Sequence, residues 1–178
     1  MNTNTDITNT NANTNANANA ETKMLQDTDV KVKISRISNG FVEGTQQITK
    51  VSEIINLINV DGNTKAFDKN CGMVFYEKSK YANDIFDEIK SSLGHYSTNN
   101  KDFITLENGG FIHKESILNI RIIEMEDERV IVIIGLNSRT LFSMSSYDYN
   151  NIDNLKNEVS EVVTNKKKTV NWNDFLID

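Results

Sequence analysis

Two stretches of alternating apolar and polar residues, each interrupted by an Asn-Gly pair and each closed by an amphipathic helical stripe, constrain this chain most. One runs roughly from Val30 to Leu93 and the other from Phe103 to Val163. In the first, Val30, Val32 and Ile34 alternate with Lys31, Lys33 and Ser35, the period-2 pattern of a strand with one buried and one wet face. Ser38-Asn39-Gly40 predicts a tight hairpin turn, because Asn and Gly tolerate the positive φ such turns require. Phe41-Val42, the run Ile48 to Val60, and Gly72 to Tyr76 supply further strands, with a turn at Asp61-Gly62-Asn63 separating the last two. Within this material Ile54 to Ile58 fits either a strand or a helix, since a short apolar run does not fix its own period. Tyr81, Ile85, Phe86, Ile89 and Leu93 then share one helical stripe, with Ser79 as cap and Gly94 as stop.

The second stretch repeats the plan. Phe103 to Leu106, Phe111-Ile112, Ile117 to Ile123, Val130 to Ile134 and Leu141 to Met144 are short, β-branched or aromatic, and separated by turn residues. Such runs predict an antiparallel meander of four or five strands. Glu124 to Glu128 forms a charged hairpin tip, and Ile152, Leu155, Val159, Val162 and Val163 form the closing helix stripe, capped by Asp148 or Asn151.

The fold class expected is therefore α+β, antiparallel β-meanders each followed by an amphipathic helix. A weak two-fold internal repeat pairs Asn39-Gly40 with Asn108-Gly109, Ile48-Thr49-Lys50 with Ile112-His113-Lys114, and Ile85 with Ile152. The alternative is one mixed sheet drawn from both halves. The chain divides into an Asn/Thr/Ala-rich arm (1–28), a meander-plus-helix unit (29–94), a polar linker (95–102), a second such unit (103–164), and a basic hinge with an apolar tail (165–178).

The arm has Ile7 as its one large aliphatic side chain before residue 21. Ordering a residue costs about 1–2 kcal/mol of backbone entropy, and so polar a segment buries too little to offset it, so the arm is expected to be disordered. Abundant Asn, Ile and Lys with no Pro match A/T-rich codons, which points to a low-GC bacterium or its phage. The net charge of −6 argues against broad affinity for phosphate backbones. A single cysteine, Cys71, excludes an internal disulfide. With no signal-peptide pattern and no run of 18 apolar residues, a soluble cytoplasmic protein is expected.

No motif identifies a reaction. His95, His113 and Cys71 lack metal-ligand spacing. Cys71 precedes Gly72 and an apolar strand, which suits a structural thiol better than a nucleophile. Gly109-Gly110 lies between strands with no helix behind it to hold a phosphate. The acidic residues do not form contrasting pairs. No metal, cofactor or catalytic residue is assigned.

A small-ligand binder or hydrolase stands third, with no residue to carry it, and two binding readings come before it. Lys31, Lys33 and Arg36 on the wet face of the first strand, with Lys166 to Lys168, give a nucleic-acid reading. The C-terminal tail gives a protein-binding one: Trp172, the only tryptophan, sits with Phe175, Leu176 and Ile177 beyond the basic hinge, the composition of a docking peptide. The tail's other reading is that it folds back to cover a sheet edge or the core, in a monomer or a symmetric dimer. The function expected is a non-enzymatic adaptor, inhibitor or assembly factor that docks on a protein partner or on itself, through the tail or through an exposed sheet edge.

Overall fold

The structure, a computed structural model, describes residues 35–94 and 101–177. The arm at 1–28, the alternating run Val30 to Ile34 and most of the 95–102 linker lie outside the described residues. The first half contains β1 (Ile37–Ser38), β2 (Phe41–Glu43), β3 (Ile48–Lys50), β4 (Asn56–Val60), β5 (Asn63–Phe67), β6 (Met73–Glu77) and helix α1 (Ala82–Ser92). The second contains β7 (Phe103–Thr105), β8 (Phe111–His113), β9 (Ile117–Glu124), β10 (Arg129–Gly135), β11 (Thr140–Ser145) and helix α2 (Ile152–Val163). The described fold is α+β with every strand pair antiparallel.

Local chemistry sets the turns. Asn39 and Gly40 have φ of 51° and 77°, and Asp61 and Gly62 have 51° and 70°, the doubly positive geometry that matches the twist of a two-residue hairpin. The ambiguous run at Ile54 to Ile58 follows a 3-10 turn at Val51–Glu53 and continues as strand β4. The sequence reading missed β5, whose Asn-Thr-Lys-Ala-Phe is weak by propensity. It is held by packing: Thr64 and Ala66 are fully buried, and Thr64 Oγ1 donates to the Ala82 carbonyl of α1 at 2.7 Å.

The second-half strands do not form one meander. A 3-10 turn at Lys114–Ser116 breaks them, so that β7 and β8 join the first half in a five-stranded sheet, order β6-β5-β4-β8-β7, while β9 to β11 make a separate three-stranded sheet, order β11-β10-β9. Strands β1 to β3 form a third sheet. The helices also depart from expectation. Tyr81 is 39% exposed instead of lying on the buried stripe of α1, and Ala82 takes its place. Ser79 Oγ accepts from the Tyr81 N–H, one turn position early, and Asn151 caps α2 through its backbone alone.

Two apolar clusters lie on opposite faces of the five-stranded sheet. One packs Leu57, Ala66, Phe75, Phe103 and Phe111 under Ile85, Phe86 and Ile89 of α1. The other packs Ile58, Phe67, Ile104 and Ile112 against Ile131, Ile133 and Met144 of the three-stranded sheet and Leu155, Val159 and Val162 of α2.

From β2 onward the first half matches the second element for element, and β1 has no counterpart among the described residues. Each has a short hairpin, a 3-10 turn of three residues, three antiparallel strands and a helix. The residue before the 3-10 turn has φ, ψ of −71°, 123° at Lys50 and −69°, 128° at His113, and the residue after it −83°, 112° at Ile54 and −89°, 119° at Ile117. The register slips at corresponding places, between Ala66 and Phe67 and between Ile133 and Ile134. This correspondence corrects the pairings read from sequence. Ile48–Lys50 matches Phe111–His113, one residue earlier than expected, and Ala82 matches Ile152. Asn39-Gly40 turns β1 into β2, whereas Asn108-Gly109 turns β7 into β8, so the two Asn-Gly pairs occupy different positions.

Candidate functional site

The tail expected to dock on a partner is engaged by its own chain. Phe175 is 7% exposed in the second apolar cluster, as is Val170. Trp172 is half-buried; its indole N–H donates to the Thr105 carbonyl of edge strand β7 at 3.0 Å, and its ring lies 6.2 Å from that of Tyr149. Leu176 pairs with Tyr149 as an isolated antiparallel bridge, flanked by Asn150 N–H to Phe175 O at 2.7 Å and Ile177 N–H to Asp148 O at 3.1 Å. Ile177 alone of the four stays exposed. Beneath the tail, the Tyr149 hydroxyl donates to Glu107 at 2.9 Å, and burial with that neighbouring carboxylate raises the phenol well above its usual pKa.

Of the residues assigned to nucleic acid, Lys31 and Lys33 lie outside the described residues. Arg36 stacks its guanidinium 4.7 Å above the Tyr81 ring, and its backbone N–H donates to the Glu88 carboxylate, so it pins the chain to α1. Part of the Lys166 to Lys168 run is gathered with new neighbours: Lys167 and Lys168 line a cleft of about 400 Å³ with Lys101, Lys114 and Asn165. Burial lowers the Lys114 ammonium pKa, against the attraction of Asp102, and Lys114 Nζ donates to Asn165 at 2.8 Å. Lys167 pairs with Glu158.

Cys71 is fully buried in the left-handed conformation (φ 61°), its Sγ donating to Ser116 O at 3.3 Å and its carbonyl held by the Asn137 amide. His113 accepts the Glu115 N–H and stacks edge-on against Phe103. His95 lies outside the described residues. Among the described residues, no three His, Cys, Asp or Glu side chains are grouped to hold a metal ion, and no helix is long and apolar enough to cross a membrane.

The sheet edges differ in how they are closed. On β6, Gln47 Nε2 donates to Tyr76 O at 2.9 Å and Thr49 Oγ1 to Val74 O at 2.6 Å. On β7, Trp172 covers the Thr105 carbonyl. Strand β9, eight residues long and the longest of the described strands, pairs only with β10 among the described residues. Met125 N–H donates to Glu128 O at the hairpin end, so strand alternation turns the backbone groups of Ile120 and Ile122 away from β10. Leu118 and Ile123 beside that edge are 57% and 38% exposed. The sequence signal for this site was present, in the length and β-branched content of Ile117 to Ile123, but which strand would lie at an edge depends on the topology.

No family model matches this chain, and neither the curated proteins nor the solved structures contain a significant match to it.

Proposed function

We propose that this is a non-enzymatic binding protein, an adaptor, inhibitor or assembly factor, that takes up a partner by strand addition along β9. The observation that carries this reading is the eight-residue edge of β9 with outward backbone groups at Ile120 and Ile122, in a fold where side chains close both edges of the central sheet. Natural proteins ordinarily protect an edge of such length and apolarity, and an extended partner strand satisfies its backbone donors and acceptors in register. The Asn-, Ile- and Lys-rich, Pro-free composition favours a low-GC bacterium or its phage as the setting.

Hydrogen exchange tests the proposal. Adding a captured partner should slow exchange at the Ile120 and Ile122 amides, and Ile120→Pro, which deletes an outward N–H that β10 does not use, should abolish capture. Protection confined to other elements would refute it. A second reading, nucleic-acid binding, rests on the four-lysine cleft. With all four lysines on phosphates, it requires affinity to fall by about 10²-fold between about 50 and 200 mM salt, where strand addition changes little.

A further inference from the structure

We infer that the partner strand for β9 is β3 of a second copy of this chain, giving head-to-tail assembly; this rests on the strand-addition reading above and names its occupant. The chain already builds the same junction once. Strand β8 docks on the edge of β4, pairing Phe111 with Leu57, while the buried Asn56 side chain accepts the His113 N–H at 2.8 Å. The incoming β7–β8 hairpin is buried on both faces, and its Phe103 and Phe111, stacked edge-to-face at 5.6 Å, are 6% and 1% exposed beneath α1.

Each part of that junction has a counterpart left open. The β2–β3 hairpin matches β7–β8 down to its closing bond, Val51 N–H to Gly40 O answering Lys114 N–H to Asp102 O. Its Val42 and Thr49 face inward, but Phe41 and Ile48, at the positions of Phe103 and Phe111, are 45% and 68% exposed. The receiving strand corresponds as well. Ile54-Ile55-Asn56-Leu57 after the first 3-10 turn matches Ile117-Leu118-Asn119-Ile120 after the second. Asn119, the counterpart of the buried Asn56, is exposed, and Ile120, the counterpart of Leu57, turns its backbone outward on an edge that no described strand pairs. Among the described residues, two like halves thus leave one receiving strand, the socket, without a partner strand and one hairpin, the plug, that is held to β6 through its inner face, by Thr49 and Gln47, while its outer face of Phe41 and Ile48 stays uncovered. In a second copy, β3 fits β9 as β8 fits β4, with Lys50 N–H meeting Asn119 and Ile48 meeting Ile120. The contact is heterologous, so repetition extends it into a ring or an open filament instead of closing a two-fold dimer.

Sedimentation of the full chain tests this. Average mass should rise with concentration across roughly 1 µM to 1 mM, the range expected for an association of modest free energy. Phe41→Asp with Ile48→Asp removes the plug at exposed positions, and Ile120→Pro or the milder Asn119→Leu removes the socket. Each variant alone should stay monomeric. An equimolar mixture of plug and socket variants should give a dimer and nothing larger, because only one complementary junction remains. A wild type that is monomeric throughout overturns the inference, and so does a plug variant that still self-associates. If a monomeric wild type still loses capture of a foreign partner on Ile120→Pro, self-assembly is refuted while strand addition stands.

Discussion

Truncating Phe175 to Ala asks directly whether the last nine residues belong to the fold. The ring is 7% exposed and packs in the cluster containing Leu155 and Val159 of α2. Removing a buried phenylalanine costs about 3–5 kcal/mol, the sum of lost transfer energy and the cavity left behind. Phe175 follows a short 3-10 turn and lies outside the regular helices and strands, where the backbone can collapse inward, so the lower figure applies. A cost of ~3 kcal/mol is a large share of the 5–15 kcal/mol that holds a typical domain. Urea unfolding followed by the single tryptophan and by circular dichroism measures it. With a slope of about 1–3 kcal/mol per molar, the midpoint should fall by at least ~1 M. Deleting Val170 to Asp178 should be worse, because it also removes Val170 and leaves the Thr105 carbonyl without its indole donor. A Phe175→Ala midpoint within ~0.3 M of the wild type at unchanged slope would refute the packed tail and restore the free docking peptide.

Glu77, 3% exposed, accepts the N–H groups of Thr45 at 2.5 Å and Ser79 at 2.9 Å; burial opposes its charge, but those amides outweigh it and hold the pKa at about 2 against an ordinary 4.5. Its folded pKa is depressed, so its contribution is full above pH 4.5 and is lost as the pH falls toward 2; Glu77→Gln should cost ~2 kcal/mol at neutral pH and flatten that acid limb in pH-resolved melting. Asn56, fully buried, bonds His113 N–H, Ser116 Oγ and Asp68 O, so Asn56→Ala should cost about 2–3 kcal/mol by stranding buried partners, and a change under half that in chemical denaturation would contradict the bonding. A Cβ on Gly135 would lie 2.7 Å from Cys71 Sγ and 2.9 Å from its Cβ; Gly135→Ala should cost about 1–3 kcal/mol by overpacking, and Cys71→Gly, at a left-handed position that suits glycine, should recover part of that cost in a double-mutant cycle, whereas strict additivity would show that the two groups do not meet.

The sequence carried the strands and helices whose side chains repeat with the right period. Ile85 with Ile89, and Leu155 with Val159, stand one helical turn apart, so one face of each helix is apolar whatever it meets. Asn39-Gly40 and Asp61-Gly62 set their turns because the backbone itself demands positive φ. The weak repeat was legible in outline, since both halves carry the same order of runs. Its residue-level match was not, because the β7–β8 loop and the β9–β10 tip shift the spacing and the halves share few identical side chains. Strand β5 was hidden because its place is granted by neighbours on both sides and not by its own propensity.

The candidate site divides the same way. The apolarity of Ile117 to Ile123 and of Trp172 to Ile177 is written in the residues, and either segment had to be buried against something. Which one found cover inside the chain was a matter of tertiary packing. Phe175 and Trp172 reach the second cluster and the β7 edge because α2 brings the tail alongside them. The β9 edge has no such cover among the described residues, because β7 and β8, the strands preceding it, pair with β4 instead. Sequence periodicity fixes which faces of an element repel water, since it acts over a few residues; it does not fix which edges remain unpaired, because that depends on strands many residues away.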